Sequence, residues 1–470
     1  MTDFTPNQAL FPDRGARLPA LSGLQTQIDE ALADIWQMPE AAPAMSEFQQ
    51  ALSDMTFGAT RSLEEVNDWV LSNLVAHGVQ MTRPGYVGLF NPAPALPAEA
   101  ADHIMAAINP QLAVWSHAPA AVEIEAHTIA QVAARAGMKP GVGGHFTSGG
   151  SEANATALIC ALTAACSEYA QRGIIAFDGQ PRLYASAESH LAWLKIAHQA
   201  GMGREAVRLI ATDGMGRMRE DALRSQILAD QSAGHCPVMI AATAGTTNAG
   251  MVDPLHACAD LAEAHDLWFH VDAAWGGALI ASPREQHVLS GMERATSITI
   301  DAHKWFATTV GTGMFLTAQP DILTETFHVT ASYMPSADAS IDPYLNTAQW
   351  SRRFLGLRMF MCLAVAGWDG YAQHVERAID LIDALNQRLS RAGWTVENAS
   401  QMAVTCLTPP QGCASAEDIV RRVNADEAFW LSTAKYEGKT IIRVCVTNGR
   451  TSRVDMENLA DLLIAHAGQV

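Results

Sequence analysis

The sequence predicts an α/β fold: a mostly parallel central sheet with helices on both faces, an N-terminal helical segment and a smaller C-terminal α+β domain. Three observations carry this. From residue 145 to 317, short apolar runs alternate with longer amphipathic stretches. Strand candidates lie at 183–186, 207–211, 238–243, 267–271, 297–300 and 313–317, with helical stretches at 151–166, 189–200, 219–230 and 254–265. Repetition of this kind implies parallel strands covered on both sides. Second, Asp272, Lys304 and the turn Gly245-Thr246-Thr247-Asn248 all follow strand candidates. Ligands of open parallel sheets sit beyond those strand ends. Third, the pattern changes near residue 351. Helices at 376–391, 415–424 and 454–466 then accompany strands at 402–406 and 441–446. The chain therefore divides into residues 1–80, 81–350 and 351–470.

Composition bounds the function. The 470 residues are 49% apolar and 17% charged, which suits a globular chain with a large core. A net charge of −19 argues against a nucleic-acid or anionic-membrane surface. The first 23 residues show neither a basic leader nor a long apolar core, so no secretory signal is expected. The most apolar long run, 359–368, is too short to span a bilayer. Eight cysteines without a C-x-x-C pair read as reduced thiols of a cytoplasmic protein, and the 16 histidines show no zinc-ligand spacing.

At the N-terminus, residues 1–23 read as a Pro- and Gly-punctuated stretch draped over another surface. Leu24, Ile28, Leu32 and Ile35 then recur at helical spacing until Pro39 and Pro43. Ser62 and Glu65 form a capping-box start, and Leu63, Val66, Val70 and Leu74 a stripe expected to be buried. Helices with one apolar face each must dock on something, and a partner subunit fits that need.

The chemistry centres on Asp301-Ala302-His303-Lys304-Trp305, at the end of a buried strand candidate. An ammonium that loses hydration gives up its proton more easily, and a free amine can form a Schiff base with an aldehyde. Alone, the stretch reads as a surface lysine packed on Trp305. Two others change that reading. Asp272-Ala273-Ala274 ends another strand, and Ser148-Gly149-Gly150-Ser151 opens a helix. A glycine-serine turn at a helix start offers N–H groups and the positive helix end to a phosphate. A lysine for an aldehyde, a carboxylate for a ring nitrogen and a phosphate cradle together point to pyridoxal 5'-phosphate.

At these residues the chain resembles the group II pyridoxal-phosphate-dependent amino acid decarboxylases, from about residue 80 to the C-terminus. The resemblance implies a fold-type-I architecture like that of aspartate aminotransferase, and a homodimer with sites at the interface. It implies decarboxylation of a small-molecule L-amino acid to its amine. Lys304 then carries the Schiff base and Asp272 pairs with the ring nitrogen, beside Ala274. Gly150 and Ser151 hold the phosphate, with Ser148, Gly149, Asp301 and His303 near it; for His303 a structural role stays open. His190 matches the histidine that stacks on the ring. Thr247 and Asn248 contact the ring or serve only the turn. The family delivers a proton from a mobile-loop tyrosine; Tyr344 is the choice within 325–350, with Tyr333 the competitor.

The proline-rich connection holds Arg83-Pro84-Gly85-Tyr86-Val87-Gly88-Leu89-Phe90. The family places a similar loop near the substrate side chain, usually with His-Pro where this chain has Arg83-Pro84. Its apolar residues favour an aromatic or other uncharged substrate, while Arg83 keeps an acidic one open. Ala118 to Glu125 also matches a family signature leading into a long helix. Arg443 is compatible with a carboxylate clamp, as in aminotransferases, and with the decarboxylases. An aminotransferase, another lyase, a decarboxylation-dependent aldehyde synthase and a silent cofactor-binding relative are the rivals.

Overall fold

The computed structural model describes residues 10–33, 44–329, 342–426 and 428–468. They fall into two compact units that divide between Tyr86 and Val87.

The first unit holds α1 (Arg14–Ala33), α2 (Met45–Ser53) and α3 (Leu63–His77). The Ser62–Glu65 capping box is formed in both directions, so α3 starts where its sequence signal lies. Helix α1 begins ten residues before the first expected stripe residue, Leu24, and runs through Pro19. Pro19 is the sixth residue of α1, past the first turn, so it removes the N–H that would bond the Gly15 carbonyl. Gln27 joins α1 to α3 through Asp68 at 2.6 Å and Asn67 at 3.1 Å. Phe48 of α2 stacks on Trp69, with centroids 5.9 Å apart. The stripe expected to be buried is not: Leu63 is 56% and Leu74 67% exposed. Three short helices do not enclose a core, and none of their residues is buried.

In the second unit, α4 (Leu96–Ile108) and α5 (Pro119–Arg135) precede the main sheet, and Pro119 opens α5 at a position that needs no N–H. The sheet strands are β1 (Gly143–Thr147), β2 (Pro181–Ser186), β3 (Val207–Ile210), β4 (Cys236–Thr243), β5 (Trp268–Asp272), β6 (Ser297–Asp301) and β7 (Gly313–Thr317). Their order is β1-β7-β6-β5-β4-β2-β3. Strands β2 to β6 pair in parallel, and β7 runs antiparallel to both β6 and β1. Between them lie α6 (Gly150–Ala165), α7 (Tyr169–Arg172), α8 (Ala192–Gln199), α9 (Glu220–Ser232) and α10 (Leu255–Ala264), and α11 (Asp321–Phe327) follows.

Alternating side chains of the strands enter two separate cores, as a sheet covered on both faces requires. Leu183, Ala185, Met239, Ala241 and Phe315 join the core under α6 and α8. Tyr184, Ile240, Ala242, Met314 and Leu316 join the one under α5, α9 and α10. Strand β1 carries two glycines and had no strand signal; pairing with β7 holds it. Gly313 of β7 faces both Thr147 and Asp301. A Cβ there would meet the Gly149 carbonyl carbon at 2.6 Å, so glycine lets β1, β7 and the start of α6 close together.

Beyond the main sheet, α12 (Gly356–Arg391) leads to a second, antiparallel sheet of β8 (Thr395–Val396), β9 (Val404–Thr408), β10 (Ser432–Tyr436) and β11 (Lys439–Cys445), ordered β10-β11-β9-β8. It packs with α13 (Ala416–Ala425) and α14 (Arg453–Ala467). Helix α12 starts twenty residues before the expected 376 and breaks at Gly367, whose φ is 64°. After the break, the Tyr371 hydroxyl donates to the Phe306 carbonyl and His374 Nε2–H to the Trp305 carbonyl, each at 3.0 Å. Both carbonyls belong to the turn that carries Lys304. No described helix is long and apolar enough to cross a membrane.

Candidate active site

A cavity of about 390 Å³ opens at the carboxyl ends of β4, β5 and β6. Lys304, Asp272, Asp301, His303, His190, Gly150, Ser151, Thr247 and Ala274 all line it. Ser148 and Gly149 line it too, so most of the sequence-derived candidates meet at one place.

The lysine is presented by a tight turn after β6. Lys304 N–H donates to the Asp301 carbonyl at 3.2 Å, and the turn closes through Ala307, which has φ 53°. Lys304 Nζ lies 3.0 Å from Asp301 Oδ2, with about a quarter of its side chain exposed. His303 is held by Thr312: its Nδ1 lies 3.2 Å from the Thr312 amide nitrogen and 3.1 Å from the carbonyl. Arg358, buried and paired with Asp102, donates to Thr312 Oγ1 at 2.8 Å and fixes that support in turn.

Asp272 is the last residue of β5 and is buried. Its Oδ1 accepts from Ala274 N–H at 3.1 Å and its Oδ2 from Asn154 Nδ2 at 2.8 Å. The first turn of α6 faces it. The N–H groups of Gly150 and Ser151 open that helix, where no intrahelical acceptor reaches them. Ser148 is differently engaged: its N–H and hydroxyl both donate to Glu152 Oε2, at 2.7 and 2.6 Å.

His190 precedes α8 and accepts from Ala192 N–H on Nδ1 at 3.2 Å, which leaves the hydrogen on Nε2. Thr247 lines the cavity while its carbonyl accepts from Arg443 at 2.9 Å. Asn248 instead donates to the Lys435 carbonyl at 3.1 Å. Arg443 also reaches the Gly88 carbonyl at 3.0 Å and Ser432 Oγ at 3.2 Å. Its guanidinium ties the 88–91 loop to the small sheet, with Phe90 beneath it at 5.5 Å.

Tyr344 is not brought to this cavity. It is buried, its N–H donates to the Ala113 carbonyl at 3.1 Å, and its ring lies 4.7 Å from Trp350. The preceding Asp342 accepts from Trp115 N–H at 2.7 Å and anchors that segment. Tyr333 lies outside the described residues.

Sequence reasoning missed Asn154 and His270. Both carried a signal: Asn154 is a buried amide early in α6, and His270 is a polar residue inside a short apolar strand that shares the sheet face of Asp272 two residues on.

The residues fit a phosphorylated pyridine aldehyde. A Cβ at Gly150 would stand 2.9 Å from Asp301 Oδ2 and 3.3 Å from the Ala274 Cβ, so glycine lets the start of α6, with its free N–H groups, close on the ends of β5 and β6. Asp301 adds a carboxylate at the same mouth, and Lys304 offsets its charge. Leu89, Phe90 and Trp275 supply an apolar wall.

The pyridoxal-dependent decarboxylase conserved domain matches residues 54–405. The aromatic-L-amino-acid decarboxylase of Bacillus atrophaeus is 29% identical over 383 residues, covering 79% of this chain and 78% of that protein. The L-2,4-diaminobutyrate decarboxylase of Rhizobium meliloti (strain 1021) is 32% identical over 323 residues, covering 68% and 62%. The structure of Oryza sativa TDC with PLP and tryptamine has the same fold, with a TM-score of 0.90 at 22% identity over 99% of each chain.

Proposed function

The chain belongs to the pyridoxal-dependent decarboxylase family, carboxy-lyases that use pyridoxal phosphate, and from that premise we propose that it converts an L-amino acid with an aromatic or other uncharged side chain to the amine and carbon dioxide. The observation that carries this is the convergence of Lys304, Asp272 and the first turn of α6 on one cavity.

When bound, pyridoxal phosphate supplies an aldehyde and a ring that accepts electrons from the breaking bond. Lys304 would provide the amine for that aldehyde, and the same amine is placed to move a proton. Asp301 holds Nζ at the cavity. Asp272 would accept the ring N–H. Gly150 and Ser151 would offer N–H groups to the phosphate, near His303, and the dipole of α6 would add to them. His190 would confine the ring and offer Nε2–H to the substrate carboxylate. Thr247 and Ala274 line the same cavity. The proton returned to Cα is assigned to a tyrosine of the 325–350 segment. Phenylalanine at Tyr333 or at Tyr344 should stop amine formation at one position only; an aldehyde product from the unaltered chain would favour the oxidative rival.

Leu89, Phe90 and Trp275 favour an uncharged side chain. Arg443 is committed to carbonyls, which speaks against a carboxylate clamp and so against transamination. A screen of L-amino acids with their acidic and diamino analogues tests the reading. Amine from aromatic substrates supports it; amine only from acidic or diamino ones rejects the side-chain class, and a keto acid without carbon dioxide rejects the reaction.

Exposed apolar residues in each unit, Leu63 and Leu74 in the first and Leu96, Ile108 and Val365 in the second, support a homodimer, which light scattering of the purified chain tests. All eight thiols are unpaired, which agrees with a reducing, cytoplasmic setting.

A further inference from the structure

Behind Asp272 runs a buried line of polar side chains that ends at Trp268. Asn154 Nδ2 lies 2.8 Å from Asp272 Oδ2. Asn154 Oδ1 lies 3.0 Å from His270 Nε2, His270 Nδ1 2.8 Å from Ser297 Oγ, and Trp268 Nε1 2.8 Å from the same Oγ. Asn154, His270 and Ser297 are all nearly inaccessible to solvent. Unpaired polar atoms there would be costly, so each hydrogen in the line matters.

The direction of the line follows from its two ends. A carboxylate only accepts, so the Asn154 amide must turn Nδ2 toward Asp272 and Oδ1 toward His270. His270 must then carry its hydrogen on Nε2. Its Nδ1 is left as an acceptor and takes the Ser297 hydroxyl hydrogen, while Ser297 Oγ accepts from the Trp268 indole N–H. Burial pulls the His270 value down to about 4, against the smaller opposing effect of Asp272, so one ring hydrogen is all it has near neutrality. Every donor meets an acceptor, and the reverse orientation would place Oδ1 of Asn154 against the carboxylate.

Resting on the assignment of Asp272 to the ring nitrogen, we propose that Asn154, His270 and Ser297 are positioning residues that aim the Asp272 carboxylate at the pyridine N–H of the cofactor. Asn154 occupies Oδ2 and Ala274 N–H occupies Oδ1, so the carboxylate plane cannot rotate. The positions explain the placement. His270 and Asp272 share one face of β5, and Asn154 comes from the first turns of α6, the helix that also holds the phosphate. One helix would thereby act on both the ring nitrogen and the phosphate of the cofactor.

The test is a binding cycle that needs no turnover. Pyridoxal phosphate and 1-deazapyridoxal phosphate, whose ring carries carbon in place of nitrogen, are titrated into apo-protein by absorbance. Wild type should prefer pyridoxal phosphate by roughly 10- to 100-fold, the range of one charge-assisted hydrogen bond. Asn154→Leu should shrink that preference by about 10-fold, and Ser297→Ala, the milder change, by a few-fold. Equal discrimination by wild type and both variants would overturn the proposal, since a purely structural role would weaken both cofactors alike. No discrimination by wild type would instead overturn the pairing of Asp272 with the ring nitrogen. Should Asn154→Leu fail to fold, Ser297→Ala decides alone.

Discussion

The indoles of Trp275 and Trp305 stack with centroids 5.3 Å apart and planes 12° from parallel. One follows Asp272 by three residues and the other follows Lys304 by one. The two chemical motifs are thus joined by packing, and the Phe90 ring packs on Trp275, tilted by 38° with centroids 4.5 Å apart. The turns that present the lysine and the carboxylate thereby share one apolar contact.

Removing that contact should therefore harm both fold and site. Trp305→Ala is expected to cost about 3–5 kcal/mol, the range for truncating a fully buried indole. Trp305→Phe should cost less and retain turnover. Denaturant unfolding of both variants checks this; an unchanged midpoint in Trp305→Ala would show that the stack does not bear on stability.

Asp272→Asn keeps the size of the side chain and removes its charge. Turnover should fall roughly 100-fold or more, the scale seen when one fixed electrostatic partner is lost. Steady-state kinetics at saturating cofactor measure it. A loss of only a few-fold would separate Asp272 from the chemistry.

Arg443 joins the Gly88 and Thr247 carbonyls, so its loss should act through the 88–91 loop. Arg443→Met is expected to destabilise the chain by about 1.5–3 kcal/mol, because carbonyls lose a charged donor. The ratio of amine to keto acid should stay as in wild type. A large rise in KM with stability unchanged would instead mark a substrate clamp.

Two buried histidines give stability a pH dependence. Burial, helped by the charge of Arg352, lowers His145 to about 3, and burial lowers His270 to about 4. Unfolded histidine titrates near roughly 6.5, so below that the unfolded chain binds more protons. Their contribution is complete above that value and is lost as pH falls toward 4 and then 3. Asp253 runs the other way: burial raises it to about 6, so it favours the folded state as pH falls from 6 toward 4. His145→Phe should flatten the stability–pH curve by about 1.4 kcal/mol per pH unit between roughly pH 4 and 6. Parallel curves for variant and wild type would contradict this.

Much of the site was legible because its residues punctuate regular elements. Asp272 ends one apolar strand, Lys304 follows the end of another by three residues, and Gly149-Gly150-Ser151 marks the start of α6. Such breaks show in one dimension. The line from Asn154 to Ser297 does not, because its partners lie 116 and 27 residues apart. Strand β1 was missed because its support is the neighbouring β7 rather than its own Gly-Gly start. The stripe on α3 was read as buried because periodicity reports an apolar face, while what covers that face is not encoded in the helix. Tyr344 was chosen from its loop position, yet Asp342 and Trp350 hold it away from the cavity of its own chain.

The most direct test of the account is chemical. Cofactor-loaded protein is reduced with borohydride, digested and mapped by mass spectrometry. The account predicts a reduced cofactor adduct on Lys304 and on no other lysine. An unmodified Lys304 in fully loaded protein, or an adduct elsewhere, would contradict it.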